Sequence, residues 1–591
     1  MKKTLFICLA VAALTAGCDD LFTPAVENIK QLEDGRTDPQ FAEGILANAY
    51  TRNPYNAQSF NDVATDDAVT NQTDNSYLLM ATGSWTANNN PVNQWDGCKA
   101  AIQYINMFLS EVEQTSFAKD STINRLFRNR LKGEAYGLRA MNMFYLLQAH
   151  AGWTDDGRLL GVPVVNEMET ATSDFNRPRN TFDECIQAIY DDVAAAVEIL
   201  PLDYQTLSSD EEMPEYYQKM GVSFYDFNRV FGNEFKTRMS GRIAMAFRAK
   251  AALLAASPAF ASGTTVTWTD AARYNGELLN LIGGVSGLSA TGNTWYKNST
   301  EIDEMGAGEN PQEMLWRQGK VTNDYSLELN QFPPSILGGG QINPTQNLVD
   351  AFPMANGYPI DDPNSGYDDQ DPYVNRDPRL SLYIVYNGST MGNNNTVIDT
   401  SVDNTSNNDG LNREQGHSTR TGYYLRKHLR EDVVLNASGS HNGQTHYVPR
   451  IRYTEIFLNY AEAANEAYGP QGTGEYGFSA YDVVKAIRQR AGVGTDNGDA
   501  YLESIKGDKD KMRELIRNER RLELCFEGFR FWDVRRWQLD INEPAMGIRI
   551  SRGVYTPFEV EARSYRDYMN FGPIPYSEML KYDALEQNKG W

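Results

Sequence analysis

Apolar residues recur at steps of three and four along much of the chain, which is the spacing of one buried helix face. Four stretches carry this pattern most clearly: 131–150, 182–201, 241–260 and 452–469. Pro201 and Gly469 stand where two of these helices would end, since proline stops a helix and glycine is the favoured residue just past its C-terminus. The pattern predicts a mainly α-helical protein.

The predicted helices are rich in alanine on their apolar faces, as in "AMAFRAKAALLAA". Small side chains let two helices approach closely, which favours helix pairs packed against one another. A helix-turn-helix scaffold of the tetratricopeptide kind fits this pattern, although the chain shows no clean 34-residue period. We therefore expect helix pairs as the scaffold.

The helical pattern stops between about 285 and 450, where Asn, Asp, Gly and Pro predominate. This composition predicts long loops with only short strands, such as "LSLYIVY" at 380–386. Loops of this length in a compact domain tend to carry function. Because no Ser/Gly/Pro-rich linker interrupts the chain, we expect one domain over 18–591, with helical scaffold at about 30–285 and 450–591.

The first seventeen residues combine two lysines, an apolar run and small residues, which is the pattern of a secretory signal peptide. "LTAGC", ending at Cys18, resembles a bacterial lipobox, whose cysteine becomes lipidated. The acidic pair Asp19 and Asp20 resembles a surface-export signal of Bacteroidetes lipoproteins. The sequence therefore predicts cleavage after residue 17 and a lipid anchor at Cys18.

The formal net charge is −24, which repels nucleic acid and anionic lipid head groups. A nucleic-acid partner is therefore not expected. Beyond Cys8 and Cys18 the chain has three widely spaced cysteines, Cys98, Cys185 and Cys525. They form neither a disulfide framework nor a zinc motif, so we expect small buried thiols.

Few residues suggest catalysis or a metal site. His441 and His446 lie five apart, which is not the helical spacing of a zinc pair. "GTGEYG" at 472–477 matches a dinucleotide motif by letter, but it follows a helix rather than a strand and is interpreted as a turn. The acidic run at 361–371 misses the calcium-loop pattern, so a solvated loop is favoured over a structural Ca²⁺ site. We predict no enzyme and no cofactor.

The stretch 516–537, "IRNERRLELCFEGFRFWDVRRW", alternates arginines and carboxylates around apolar residues. Guanidinium–carboxylate pairs and stacking on aromatic rings would order such a segment. An arginine cluster for acidic ligands is conceivable, but the carboxylates neutralise it. A structural role is favoured.

Several motifs together resemble those of the SusD/RagB family of outer-membrane lipoproteins. They include "GEAYGLRAMNMFYLLQ", "RYTEIFLNYAEAANEA", "ERRLELCFEGFRFWDVRRW" and the final "PIPYSEMLKYDALEQNKGW". The resemblance extends from the lipobox to Trp591. It implies a non-enzymatic, lipid-anchored protein on the cell exterior, with tetratricopeptide-like helix pairs and a loop-rich ligand face. It also implies a SusC-like TonB-dependent transporter as partner, with oligosaccharide as the usual cargo.

The resemblance places ligand contacts in the segment after the first helix and in loops of the C-terminal half. An oligosaccharide site combines aromatic platforms with hydrogen-bonding side chains. The candidates in the first segment are Asp67, Tyr77, Trp85, Asn88 and Asn90; in the second they are Trp295, Tyr296 and Tyr325, chosen by composition and position. Trp85 lies among polar residues in "ATGSWTANNN", so we predict an exposed sugar platform there, whereas Trp95 is expected in the core.

Two other functions remain open from the sequence. A peptide-binding lid of the RagB type would use backbone-amide partners and mixed pockets in place of exposed rings. A surface glycoside hydrolase is suggested by the abundance of carboxylates, although no motif singles out a catalytic pair.

Overall fold

The computed structural model describes residues 32–52, 54, 59–306 and 308–591. The predicted signal peptide and Cys18 lie outside the described residues. Among the helices within them, none combines the length and the apolar character needed to cross a bilayer.

Long helices form the scaffold, which confirms the predicted mainly α-helical class. Those of twelve residues or more in the described chain are α1 Pro39–Thr51, α2 Trp95–Glu111, α3 Ser121–His150, α4 Phe182–Ile199, α5 Gly241–Ala256, α6 Trp268–Asn280, α7 Tyr453–Tyr468, α8 Ala480–Ala491 and α9 Lys509–Glu523. Local sequence sets their ends. Thr181 and Glu184 form a reciprocal capping box at the start of α4, and Gly469 follows α7 with a φ of 80°.

Each scaffold helix packs against the next one along the chain, from α1 to α7, and α7 then packs against both α8 and α9. Their apolar faces share one core, in which Ala249, Ala252 and Ala461 permit close approach. The chain leaves this stack after α6 and returns at α7, although α6 and α7 pack directly against each other. Residues 281–452 are therefore an insertion between neighbouring helices.

The insertion contains only short elements. Its helices, each six residues long, are Ser299–Glu304, Ser326–Gln331, Gln346–Ala351 and Pro378–Tyr383. Elsewhere the shorter helices are Ser76–Leu79, Glu215–Lys219, Phe224–Phe231, Ala500–Ile505, Arg530–Arg536 and Tyr576–Lys581. The insertion thus consists mainly of loops, which short helices and strands hold in place.

The strands pair two by two, always antiparallel. They are β1 Ala68–Thr70, β2 Gly152–Trp153, β3 Leu159–Leu160, β4 Met314–Arg317, β5 Val321–Asp324, β6 Ile342–Pro344, β7 Ile384–Val385, β8 Thr390–Met391, β9 Thr396–Val397, β10 Tyr424–Leu425, β11 Gln444–His446, β12 Pro449–Arg452, β13 Ala545–Ser551 and β14 Val554–Glu561. The pairs are β1 with β6, β2 with β3, β4 with β12, β5 with β11, β7 with β10, β8 with β9, and β13 with β14.

The predicted strand at 380–386 is wrong over its first half. Residues Pro378–Tyr383 form a helix, and only Ile384 and Val385 belong to a strand. The cause lies just upstream, where the side chain of Asp377 accepts a hydrogen bond from Arg379 N and Pro378 occupies the first helical turn. A capping residue followed by proline starts a helix despite the apolar run.

Buried ion pairs fasten the insertion to the scaffold. Arg379 is fully buried, and its guanidinium lies 2.7 Å from Asp377, 2.8 Å from Glu519 and 3.1 Å from Glu523. Nearby, Lys427 Nζ lies 2.7 Å from Glu527. Glu519, Glu523 and Glu527 all belong to the arginine- and glutamate-rich stretch, so the structural role predicted for that stretch is confirmed.

Candidate functional site

The segment that follows α1 is bound directly to the insertion. Strand β1 pairs with β6, and just beyond it the side chain of Asn71 donates hydrogen bonds to the carbonyl oxygens of Gly339 at 3.1 Å and Gly340 at 2.9 Å. The amide of Gln72 reaches Gly416 O at 2.9 Å. The two regions in which ligand contacts were expected therefore meet in space.

An open groove of about 340 Å³ lies at this meeting point, and we call it the first groove. It is lined by Asn71, Thr73, Leu78, Asn412, Glu414, Gln415, Gly416, Ser418, Arg420 and Glu561. Nearly all of these groups donate or accept hydrogen bonds, and the volume is that of a small-molecule site. The groove suits a ligand with many hydroxyl or amide groups.

Arg420 forms a fixed wall of the first groove. Its Nη1 donates to Thr70 O at 3.0 Å and to Glu561 Oε2 at 2.9 Å. The other oxygen of Glu561 accepts from Arg563. By contrast, Thr73, Asn412 and Gln415 are exposed, which leaves their polar atoms accessible to a ligand.

A second groove, of about 500 Å³, borders the same β13–β14 hairpin through Met546 and Pro557. Asp66, Arg521 and Arg530 lie in its wall. Burial opposes ionisation of Asp66, but the two guanidinium groups outweigh it and hold the pKa of this carboxyl below its usual value. The whole lining contains two arginines and four carboxylates, so the second groove is acidic overall.

The prediction of an exposed platform at Trp85 is wrong. The ring is 2% exposed and packs with Phe531, Tyr565 and Trp591, at centroid distances of 5.9, 6.1 and 4.9 Å. Its Nε1 donates to Asn90 Oδ1 at 3.0 Å. A polar loop can thus fold an indole inward when one of its own amides satisfies the ring nitrogen and apolar partners come from the distant C-terminus.

The other candidates of the first segment are dispersed. Asn90 Oδ1 accepts the hydrogen bond from Trp85 and a second one from Val92 N at 3.1 Å. Asp67 is fully buried, and its Oδ1 accepts from Arg521 Nε at 2.7 Å, so its role is structural. Tyr77 is half-buried, whereas Asn88 is exposed. None of these side chains lines the first groove.

Trp295 and Tyr296 are also wrong as exposed platforms. They are 2% and 3% exposed and pack in a core with His428. Tyr296 donates its hydroxyl to Leu382 O at 2.9 Å. Tyr325 is half-buried, and its ring meets that of His441 edge to face, with 4.7 Å between centroids. The structure does not bring these three residues to the first groove.

The groove residues missed from the sequence are Asn71, Asn412, Gln415, Arg420 and Glu561. Asn71 lies in the expected segment, but its local sequence does not distinguish it from the other polar residues there. Asn412 has a φ of 52°, in the left-handed region that asparagine tolerates, which marks a tight turn. The local sequence around Glu561 does not predict its position in the first groove, because only the β13–β14 hairpin brings it there.

The residues considered for metal binding do not converge. In the described parts of the chain, no three His, Cys, Asp or Glu side chains are placed to hold a metal ion. His446 Nε2 lies 3.0 Å from the buried Glu328, and Cys98, Cys185 and Cys525 are free and buried. The expectation of small buried thiols is confirmed.

Two family profiles match this chain. The profile described as the SusD family matches residues 310–591, and the one described as "Starch-binding associating with outer membrane" matches residues 38–211. A SusD-like protein of Formosa agariphila is 28% identical over 158 residues, which is 26% of this chain and 27% of that protein. The chain thus matches about a quarter of the length of this curated relative.

Solved structures share the fold over nearly the whole chain. A SusD-like protein of Bacteroides fragilis superposes with a TM-score of 0.70 at 22% identity, covering 96% of this chain and all of the other. A SusD-like carbohydrate-binding protein of the same species has a TM-score of 0.65 at 22% identity, covering 93% of this chain and 99% of the other. At this identity the likeness establishes the fold.

Proposed function

Because the chain belongs to the SusD/RagB family, we propose that it captures oligosaccharides at the cell surface and delivers them to a SusC-like TonB-dependent transporter. The name of one matching profile, which joins starch binding to the outer membrane, supports both the ligand class and the location. The lipid anchor at Cys18 would hold the protein there. The protein would bind its cargo without altering it.

The first groove carries this proposal. It joins the β1 segment, the 412–420 loop and the β13–β14 hairpin, so its wall is assembled from three distant parts of the sequence. Asn71 and Arg420 are held by backbone carbonyl groups, while Asn412 and Gln415 face solvent. Fixed polar walls with free amides at the rim recognise hydroxyl groups at little cost in side-chain entropy.

Peptide capture is the second candidate, and one observation favours it. None of the side chains that line the first groove is aromatic, whereas sugar sites commonly include a stacking ring. Amides and one guanidinium also match the polar groups of an extended peptide. We place oligosaccharide first because a matching family profile and a carbohydrate-binding structural neighbour point to that class.

A hydrolase would need a carboxylic acid free to transfer a proton. The carboxylates at the first groove are Glu414 and Glu561. Both oxygens of Glu561 already accept from guanidinium groups, and Glu414 accepts from the side chain of Asn408. These contacts support a binding site over a catalytic one.

A direct comparison of ligands tests the proposal. The purified protein is applied to a glycan array and, separately, to a library of short peptides, and each positive is measured by calorimetry. Saturable binding of an oligosaccharide that Arg420→Ala weakens is the expected result. Peptide binding alone would establish the second candidate, and release of shortened glycan on long incubation would replace both with a hydrolase.

A further inference from the structure

A second site of a different kind lies between α3, α5, α7 and the Arg530–Arg536 helix. It is a crevice of about 70 Å³ whose wall includes Lys250, Arg450, Asn459, Trp532 and Arg536. This volume exceeds that of a single water molecule several times over. The crevice is separate from both grooves, since it shares no lining residue with either.

Within the described chain, two hydrogen-bond donors in this wall find no acceptor. Asn459 is 1% exposed, and its Nδ2 is unpartnered although its Oδ1 accepts from Arg520 Nη1 at 2.6 Å. The Nε1 of Trp532 is likewise buried without a partner. A buried donor left unsatisfied destabilises the folded state. Both groups can only donate hydrogen bonds, so a ligand in the crevice must supply an acceptor.

The charged side chains around the crevice are largely paired. Its lining contains five cationic side chains and three carboxylates. The carboxylates are engaged: Glu455 lies 2.6 Å from Lys250, Glu527 2.7 Å from Arg452, and Asp533 2.7 Å from Arg520. Two carboxylates outside the lining, Glu462 and Glu313, pair with Arg536 and Arg452 and balance the charge, so the two orphan donors are the decisive feature.

Arg450 also lies in the wall of the crevice. Its guanidinium lies over the ring of Trp316, 4.2 Å from the centroid. Burial lowers the pKa of this side chain to about 9. An anion in the crevice would stabilise that charge.

We propose that this crevice binds a small inorganic anion of the halide class, held by Asn459 Nδ2 and Trp532 Nε1. The anion supplies the acceptor that both donors lack. It binds where α7 meets the Arg530–Arg536 helix, and so ties the C-terminal segment to the scaffold.

Bromide is the probe, because it scatters anomalously. Crystals grown in sodium bromide should show an anomalous peak within hydrogen-bonding distance of both donors. In solution, the melting temperature of the full protein should rise by about 1 to 2 °C when sodium gluconate is replaced by sodium bromide at constant ionic strength. Gluconate is too large for the crevice.

Two variants separate binding from a general salt effect. Trp532→Phe removes one donor and keeps the ring, and Asn459→Asp places a fixed carboxylate oxygen where the other donor stood. Both should lose the response to bromide. Trp591→Phe removes an indole nitrogen that already donates to Phe571 O at 2.9 Å, so it should retain the response. Ordered water in place of the anomalous peak, or an equal response in all four proteins, overturns the proposal.

Discussion

The indole nitrogen of Trp85 lies 3.0 Å from the side-chain oxygen of Asn90, five residues further along the same loop. This bond closes the loop over a ring that packs against Phe531 and Trp591. Trp85 therefore joins an N-terminal loop to the C-terminus of the chain, and its contribution is to stability.

We expect Trp85→Ala to lower the free energy of unfolding by about 3 to 5 kcal/mol, the cost of emptying a large aromatic site in a core. Urea denaturation followed by circular dichroism measures this value. Asn88→Ala, in the same loop but exposed, serves as control and should change stability by less than about 0.5 kcal/mol. Unchanged stability together with lost glycan binding would restore the exposed platform predicted from sequence.

Removal of Arg379 should be among the most damaging changes to the fold. Its side chain is fully buried among Asp377, Glu519 and Glu523. Arg379→Ala leaves these carboxylates without their shared partner, at a cost of about 3 to 5 kcal/mol. Arg158→Ala is the matched control, because its pairs with Asp156 and Glu586 are exposed and such pairs contribute about 0 to 1 kcal/mol. Equal effects in thermal melts would contradict this assignment.

Asp62 should make stability depend on pH near neutrality. Burial, with a further contribution from the charge of Asp67, raises the pKa of Asp62 from 3.8 to about 7. The folded state therefore keeps this proton between about pH 4 and 7 where the unfolded chain has lost it, so stability falls as the pH rises through this window.

Asp62→Asn carries no titrating group and should lack this decline. The difference in free energy of unfolding between Asp62→Asn and the original protein should grow in favour of the variant by up to about 4 kcal/mol from pH 4 to pH 8. One pKa unit corresponds to about 1.4 kcal/mol. Denaturation at a series of pH values measures the difference. Asp155→Asn, at an exposed position, should run parallel to the original protein. A parallel curve for Asp62→Asn would show that folding does not shift the pKa of Asp62.

Binding at the first groove should depend on its two free amides. The double variant Asn412→Gly, Gln415→Ala is expected to weaken ligand binding by about 1 to 3 kcal/mol, the contribution of two hydrogen bonds. Calorimetry with the ligand found by array screening measures it. The melting temperature should stay the same, because both side chains are exposed and glycine accepts the φ of 52° at position 412. Gln205→Ala, also exposed, should bind as the original does.

The sequence predicted the scaffold well because helix formation is largely local. The faces of α3, α4, α5 and α7 follow directly from apolar spacing, and Gly469 ends α7 as expected. The meeting of the β1 segment with the insertion was likewise expected from the resemblance. These features depend on neighbours along the chain or on a family-wide arrangement.

The site residues were harder to predict because their surroundings are set by distant contacts. Trp85 is buried by residues more than four hundred positions away, and Trp295 packs with His428 and Tyr447. The polar residues on either side of a ring in the sequence do not show which distant residues pack against it in the folded protein. The groove itself depends on Glu561, which a hairpin delivers from the far end of the chain.

The insertion at 281–452 leaves and rejoins the scaffold between two helices that pack directly against each other. Its loops can therefore change length or composition during evolution without altering the helix stack beneath them. The fixed points are Arg379 and Lys427, which reach down to Glu519, Glu523 and Glu527. A related protein with another cargo should keep these anchors and diverge at the rim around Asn412 and Gln415, so that new specificities arise on an unchanged frame.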